Sequence, residues 1–121
     1  MKVAISSTGG TFQDKLDPRF GRAAGFIIFD TSSGQAEYQD NQGNQQASKG
    51  AGIHAAQNVT RAGAEAVITG HIGPKAYAAL ESGNIEVYQS ETKTIGEVVE
   101  DFRHGRLSKA QGADSPPHWQ G

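Results

Sequence analysis

The sequence predicts a single α/β domain built on a mixed five-stranded sheet. The runs EAVIT (65–69) and IEVYQ (85–89) alternate with helical periods, which calls for parallel strands joined by crossovers. FIIFDT (26–31) and QAEYQD (35–40) are separated only by Ser32, Ser33 and Gly34, a hairpin spacing that adds antiparallel strands. At 121 residues the chain can enclose one core and is too short for two.

The elements follow in order. KVAIS (2–6) is an apolar run closed by Ser-Ser-Thr-Gly-Gly and reads as the first strand. Residues 8–19, TGGTFQDKLDPR, carry turn formers without a period and read as a loop. Of the hairpin strands, the second alternates Ala36 and Tyr38 with polar residues, as an edge strand with one wet face does. DNQGNQQASKG (40–50) is polar and aperiodic, so a mobile loop is expected. A helix is predicted from Gly50 to Ala62, with Gly52, Ala55, Ala56, Val59 and Ala62 on one stripe and His54 off it. EAVIT carries the unbroken apolar run AVI (66–68), as a strand covered on both faces does. Pro74 suits the first turn of the next helix and Gly83 its stop. The last helix carries the strongest local signal. Thr94 and Glu97 have capping-box spacing, Ile95, Val98, Val99 and Phe102 form the apolar face, and Arg103 and His104 suit the negative end of the dipole before Gly105. The predicted order is βββαβαβα. Residues 1–106 form the domain, and residues 107–121, polar and turn-rich, read as a flexible tail.

Composition narrows function by exclusion. A net charge of −2 gives no bulk electrostatic case for nucleic acid. No apolar run approaches membrane-spanning length, and MKVAISSTGG is too short and polar for a signal peptide, so a cytoplasmic protein is expected. Cysteine is absent, which removes disulfides, thiolate zinc sites, cysteine nucleophiles and cysteine-ligated iron–sulfur clusters.

Catalytic motifs fail one after another. GNQQASKG (43–50) is a near miss for a phosphate-binding loop: Ser48 replaces the second glycine and Gly50 replaces the magnesium-holding hydroxyl. STGG (7–10) develops no dinucleotide-binding spacing and is better read as a glycine turn. The strand order can build a ribonuclease-H-like sheet, but two-metal hydrolysis needs clustered carboxylates, and the first strand offers Ser6 and Ser7 instead. No nucleophile elbow or metal-spaced histidine pair occurs. A non-catalytic protein is expected.

Three glycine-containing junctions remain. DPRFGRA (17–23) sets Arg19 and Arg22 around Phe20 and Gly21; SKGAGIH (48–54) sets Lys49 and His54 around a helix start; TGHIGPK (69–75) sets His71 and Lys75 around another. Any one alone is an ordinary loop with surface cations. Together, with at least two expected on one sheet edge, they point to an anion held by helix-start amides and cationic side chains.

LDPRFGRAAGFIIFD and KGAGIHAAQNVTRAGAEAVITGHIGPKAYAAL resemble the patterned segments of the dinitrogenase iron–molybdenum cofactor biosynthesis family, the likeness covering residues 1–106. It implies a ribonuclease-H-like sheet and a role in binding or carrying metal–sulfur cofactors. Lack of cysteine makes the sequence most similar to a branch that holds a molybdenum–copper sulfide cluster non-covalently; the iron–molybdenum cofactor or a precursor is the alternative cargo. By matching segments, the implied binding residues are Phe20, Gly21, Arg22, His54, His71, Ile72, Gly73 and Lys75. Such a cluster already satisfies its metals with sulfide, so cations, amides and apolar contacts would suffice, with direct histidine ligation ranked second. A protein-interaction or regulatory module docking an acidic partner, such as a P-loop ATPase, is the competing reading.

Overall fold

The computed structural model describes residues 1–41, 43 and 50–112. Its elements are β1 (Lys2–Ser7), β2 (Gly25–Asp30), β3 (Ala36–Asp40), α1 (Ala51–Arg61), β4 (Ala66–Thr69), α2 (Pro74–Ser82), β5 (Glu86–Gln89), α3 (Ile95–Arg103) and β6 (Ser108–Lys109). They make one mixed sheet in the order β3-β2-β1-β4-β5-β6. β1 runs parallel to β4, and β4 to β5, while β2, β3 and β6 are antiparallel to their neighbours.

Strand alternation sorts the core into two halves. Ala4, Phe26, Ile28, Val67 and Val87 pack under α1 and α2, against Ala55, Ala56, Val59, Ala76 and Leu80. Val3, Ile5, Ile27, Phe29, Ala66 and Ile68 face the other way, onto Ile95, Val98 and Val99 of α3. All four residues of β4 are buried, which is why EAVIT shows no alternation. Each fully buried Ile or Val contributes about 1.5–3 kcal/mol over an exposed one.

α3 begins as its sequence requires. Thr94 Oγ1 accepts from Glu97 N (3.2 Å), and Glu97 Oε1 accepts from Thr94 N (3.1 Å). The 8–19 loop finishes the cap: Ile95 N donates to Asp14 O (2.8 Å) and Gly96 N to Phe12 O (3.0 Å).

The sheet has six strands, one more than the sequence indicates. β6 is only two residues long, both exposed, so it leaves no alternating pattern. It is held by pairing to Tyr88 and Gln89, by the Lys109–Glu86 ion pair (2.8 Å), and by the bond from Ala110 N to Val87 O (2.8 Å). Leu107 packs on the α3 side and Ala110 on the opposite core, so ordered chain continues past Arg106. Of the mobile loop expected over 40–50, Asp40 closes β3 and Asn41 is buried, while residues 42 and 44–49 lie outside the described residues, as does the tail from 113 onward with Trp119.

Candidate anion-binding crevice

Topology brings the described parts of the three junctions, residues 17–23, 50–54 and 69–75, to one end of the sheet; Ser48 and Lys49 lie outside the described residues. β1 and β4 end there, and α1 and α2, running antiparallel to β4, both begin there. The antiparallel pairings Ser7↔Gly25 and Gly25↔Asp40 bring the start of β2 and the end of β3 to the same edge.

Two of the junctions are laced together. His71 N donates to Pro18 O (2.7 Å), Phe20 N donates to His71 O (3.2 Å), and Arg19 bridges to His71. Gly70 is required at this crossing, because a Cβ there would meet Pro18 Cα at 2.8 Å. A buried polar knot lies beneath. Ser6 Oγ donates to Asp17 O (2.7 Å) and lies 2.8 Å from Thr69 Oγ1; Asp17 N donates to Ser6 O (2.8 Å), and Asp17 Oδ1 accepts from Arg19 N (3.1 Å). Hydroxyls at the ends of β1 and β4 thus set the height of the loop above them. Sequence patterning registers Ser6 and Thr69 only as strand ends and misses this role.

The predicted site residues divide by exposure. Phe20 and Ile72 are both 0% exposed; Phe20 stacks on Phe26 at 5.2 Å between centroids, and both side chains belong to the α1–α2 core. The expected apolar contact with a ligand therefore has no surface in this structure, and these side chains anchor their loops instead. Gly21 and Gly73 are buried, Arg22 is half-buried, and His54, His71 and Lys75 are exposed. Gly21 O and Ala23 O both accept from Asn41 Nδ2 (3.2 and 2.9 Å), a clamp hidden from sequence reading inside a polar run. α1 joins this edge by packing on α2 rather than through the laced loops.

The helix starts give this edge its chemistry. The N-caps of α1 and α2 are glycines, Gly50 and Gly73, neither helix has a side-chain cap, and neither has an acidic residue in its first turn. Gly50 sits at φ 79°, a left-handed conformation that favours glycine. Among the described residues no protein acceptor meets the amides of Ala51, Gly52 and Ile53, or those of Lys75 and Ala76. Lys75 also places a cation in the first turn of α2, where the helix dipole disfavours one. An anion seated there would satisfy both the amides and the lysine.

A neighbouring cleft of about 450 Å³ opens between the ends of β4 and β5, lined by Pro18, Gly70, His71, residues 89–92 and Ser108. α2 and α3 leave this point for opposite faces, but Glu91 in the wall and the scarcity of cations make it the poorer host for negative charge. Among the described residues no group of three or more His, Asp or Glu is arranged to hold a metal ion.

This architecture is that of a known class. The chain belongs to the dinitrogenase iron–molybdenum cofactor family, which matches residues 1–105. It is similar to the apo form of the orange protein from Desulfovibrio gigas, with 41% identity, a TM-score of 0.91, and coverage of 94% of this chain and 96% of that one. A NifB-like Thermotoga protein of the DUF35 family, solved by NMR, is 32% identical with a TM-score of 0.84, covering 94% and 97% of the two chains. An uncharacterised Methanocaldococcus jannaschii protein is 32% identical over 111 residues, 90% of this chain and 91% of its own.

Proposed function

We propose that the protein is a non-catalytic binding or carrier protein for an anionic metal–sulfur cluster, held without covalent attachment at the starts of α1 and α2. The observation that carries this reading is the pair of glycine-capped helix starts whose first-turn amides meet no acceptor among the described residues, one bearing Lys75, on the edge that also holds Arg22 and His71. Family membership supports a metal–sulfur cargo, and similarity to the orange protein favours a molybdenum–copper sulfide over an iron–molybdenum cofactor or precursor. The absence of cysteine fits a cargo whose metals already carry sulfide. The order β3-β2-β1-β4-β5 supports a ribonuclease-H-like sheet extended by β6. No helix among the described residues is long and apolar enough to cross a membrane, in keeping with a cytoplasmic role.

Retention on this reading is electrostatic. Each charge-assisted contact contributes about 1.5–3 kcal/mol where water is excluded, and exposed cations contribute about 0–1 kcal/mol. Half-buried Arg22 is therefore the main holder and exposed Lys75 a lesser one. Imidazoles of His54 and His71 add a little, unless one ligates metal. The test is titration of apo protein with tetrathiomolybdate and copper, followed by visible absorbance and gel filtration. Colour co-eluting with the protein and weakened by salt is expected. Colour that elutes apart from the protein overturns the cargo and leaves the docking of an acidic protein partner as the reading to pursue.

A further inference from the structure

We propose that Asn41 is the positioning residue of the Phe20–Arg22 turn, and through it of the anion site; the inference rests on the cargo reading above. Asn41 is 3% exposed at the end of β3. Its Nδ2 spends both hydrogens on one turn, donating to Gly21 O at 3.2 Å and Ala23 O at 2.9 Å, while its backbone N donates to Ala24 O at 2.9 Å. Three carbonyls of residues 21–24 are thereby pulled to a single side. In a trans peptide unit the C=O and the following N–H point in opposite directions. The amides of Arg22, Ala24 and Gly25 are therefore turned away from Asn41, and along the clamped turn Gly21 and Ala23 are buried while Arg22 and Ala24 are half-buried.

No other side chain reproduces this arrangement. Asp has the shape of Asn but, ionised, no donor, and would face two carbonyls with a negative charge. Ser offers one donor on a shorter arm, and Gln displaces the amide by a methylene. Asn41 meets the proposed cargo site at the Gly21 carbonyl. Its effect passes through the placement of Arg22.

The experiment combines a double-mutant cycle with a measurement that needs no variant. Affinity for the tetrathiomolybdate–copper species is compared for wild type, Asn41→Ala, Arg22→Ala, Lys75→Ala and the doubles Asn41→Ala/Arg22→Ala and Asn41→Ala/Lys75→Ala. Asn41→Ala should weaken uptake about tenfold. It should be strongly non-additive with Arg22→Ala and additive with Lys75→Ala, because only neighbours that act together couple. A general loss of stability would add equally to both. Additivity with Arg22→Ala, or wild-type uptake by folded Asn41→Ala, overturns the proposal. In wild-type apo protein, NMR should show slowly exchanging Asn41 side-chain amide protons. A fast-exchanging side-chain amide overturns it even if the variants do not fold. Protected Asn41 protons in a protein that takes up no colour would instead overturn the cargo reading, and the assignment of Asn41 to a cargo site with it.

Discussion

The start of α3 and the starts of α1 and α2 solve the same problem in opposite ways. At α3 every first-turn amide is answered inside the protein, by Asp14, Phe12 and Thr94, and Glu97 places a carboxylate at the positive end of the dipole. At α1 and α2 the caps are glycine and the first-turn amides have no acceptor among the described residues, and at α2 a lysine stands where a carboxylate belongs. A sequence capable of building a complete cap at one helix has left two others open, both on the same edge of the sheet. Stability explains the first arrangement. The second makes sense if something else supplies the negative charge.

The comparison breaks most visibly at Arg22. Arg22→Ala should lower the affinity for the thiomolybdate–copper species by about 1.5–3 kcal/mol, the range of a charge-assisted contact that the bound cluster closes off from water, and should flatten its dependence on salt. The corresponding change on the α3 side, Arg103→Ala, should leave uptake unaltered, since Arg103 lies over Phe29 at 5.6 Å on the other face. Equal losses in the two titrations would mean that binding follows total charge and not the crevice.

The next effect concerns the α3 side and its continuation into β6. A chain ending at Arg106 loses Leu107, β6 and the buried Ala110, and should unfold roughly 1–3 kcal/mol more easily than one ending at Gly112, about one side chain's worth of burial. Urea denaturation of the two chains measures it, and coincident curves would show that β6 adds nothing. The same strap has an acid limit. Hydrogen bonds from Lys93 (2.7 Å) and Arg106 (3.1 Å) hold the largely buried Asp101 carboxyl below its ordinary pKa. Its contribution is complete above the unfolded value of about 3.9 and is lost as pH falls through the lower folded value. Asp101→Asn should therefore melt lower at neutral pH, with the gap to wild type closing in acid.

Much of this contrast was legible in the sequence, for reasons that also explain the omissions. Thr94, Glu97 and the Ile95–Phe102 stripe announce α3 because a cap and an amphipathic face are local patterns. Pro74 and Gly83 bracket α2 for the same reason. β6 escaped because two polar residues paired at an edge have no period to show. Phe20 and Ile72 carried the family pattern, yet their conservative role in packing looks the same in sequence as a role in binding; only burial separates the two. Asn41, Ser6 and Thr69 were hidden because their partners lie 20, 11 and 63 residues away, beyond any local spacing.

A smaller effect tests the capped helix directly. Thr94→Ala should cost about 1 kcal/mol of stability through loss of the cap, with cluster uptake unchanged. A thermal melt beside the uptake titration separates the two quantities, and a parallel loss of uptake would tie α3 to the site.

The smallest effect is the most discriminating, because its two readouts should move in opposite directions. Lys75 is exposed in the first turn of α2, so its replacement disturbs no packing. Lys75→Glu puts a carboxylate at the positive end of the dipole, and should stabilise the apo protein by about 0.3–1 kcal/mol at low ionic strength. The same carboxylate should repel an incoming anionic cluster, so uptake should fall below that of Lys75→Ala. Thermal melts at low and high salt, paired with uptake titrations, read both at once. If Lys75→Glu gained stability and retained uptake, the open helix start of α2 would be an imperfect cap and nothing more. If it lost both, Lys75 would be engaged in holding the apo fold, and the cation at the wrong end of the helix would have a structural cause. A gain in stability with a loss of uptake is the outcome that only a binding role for this helix start produces.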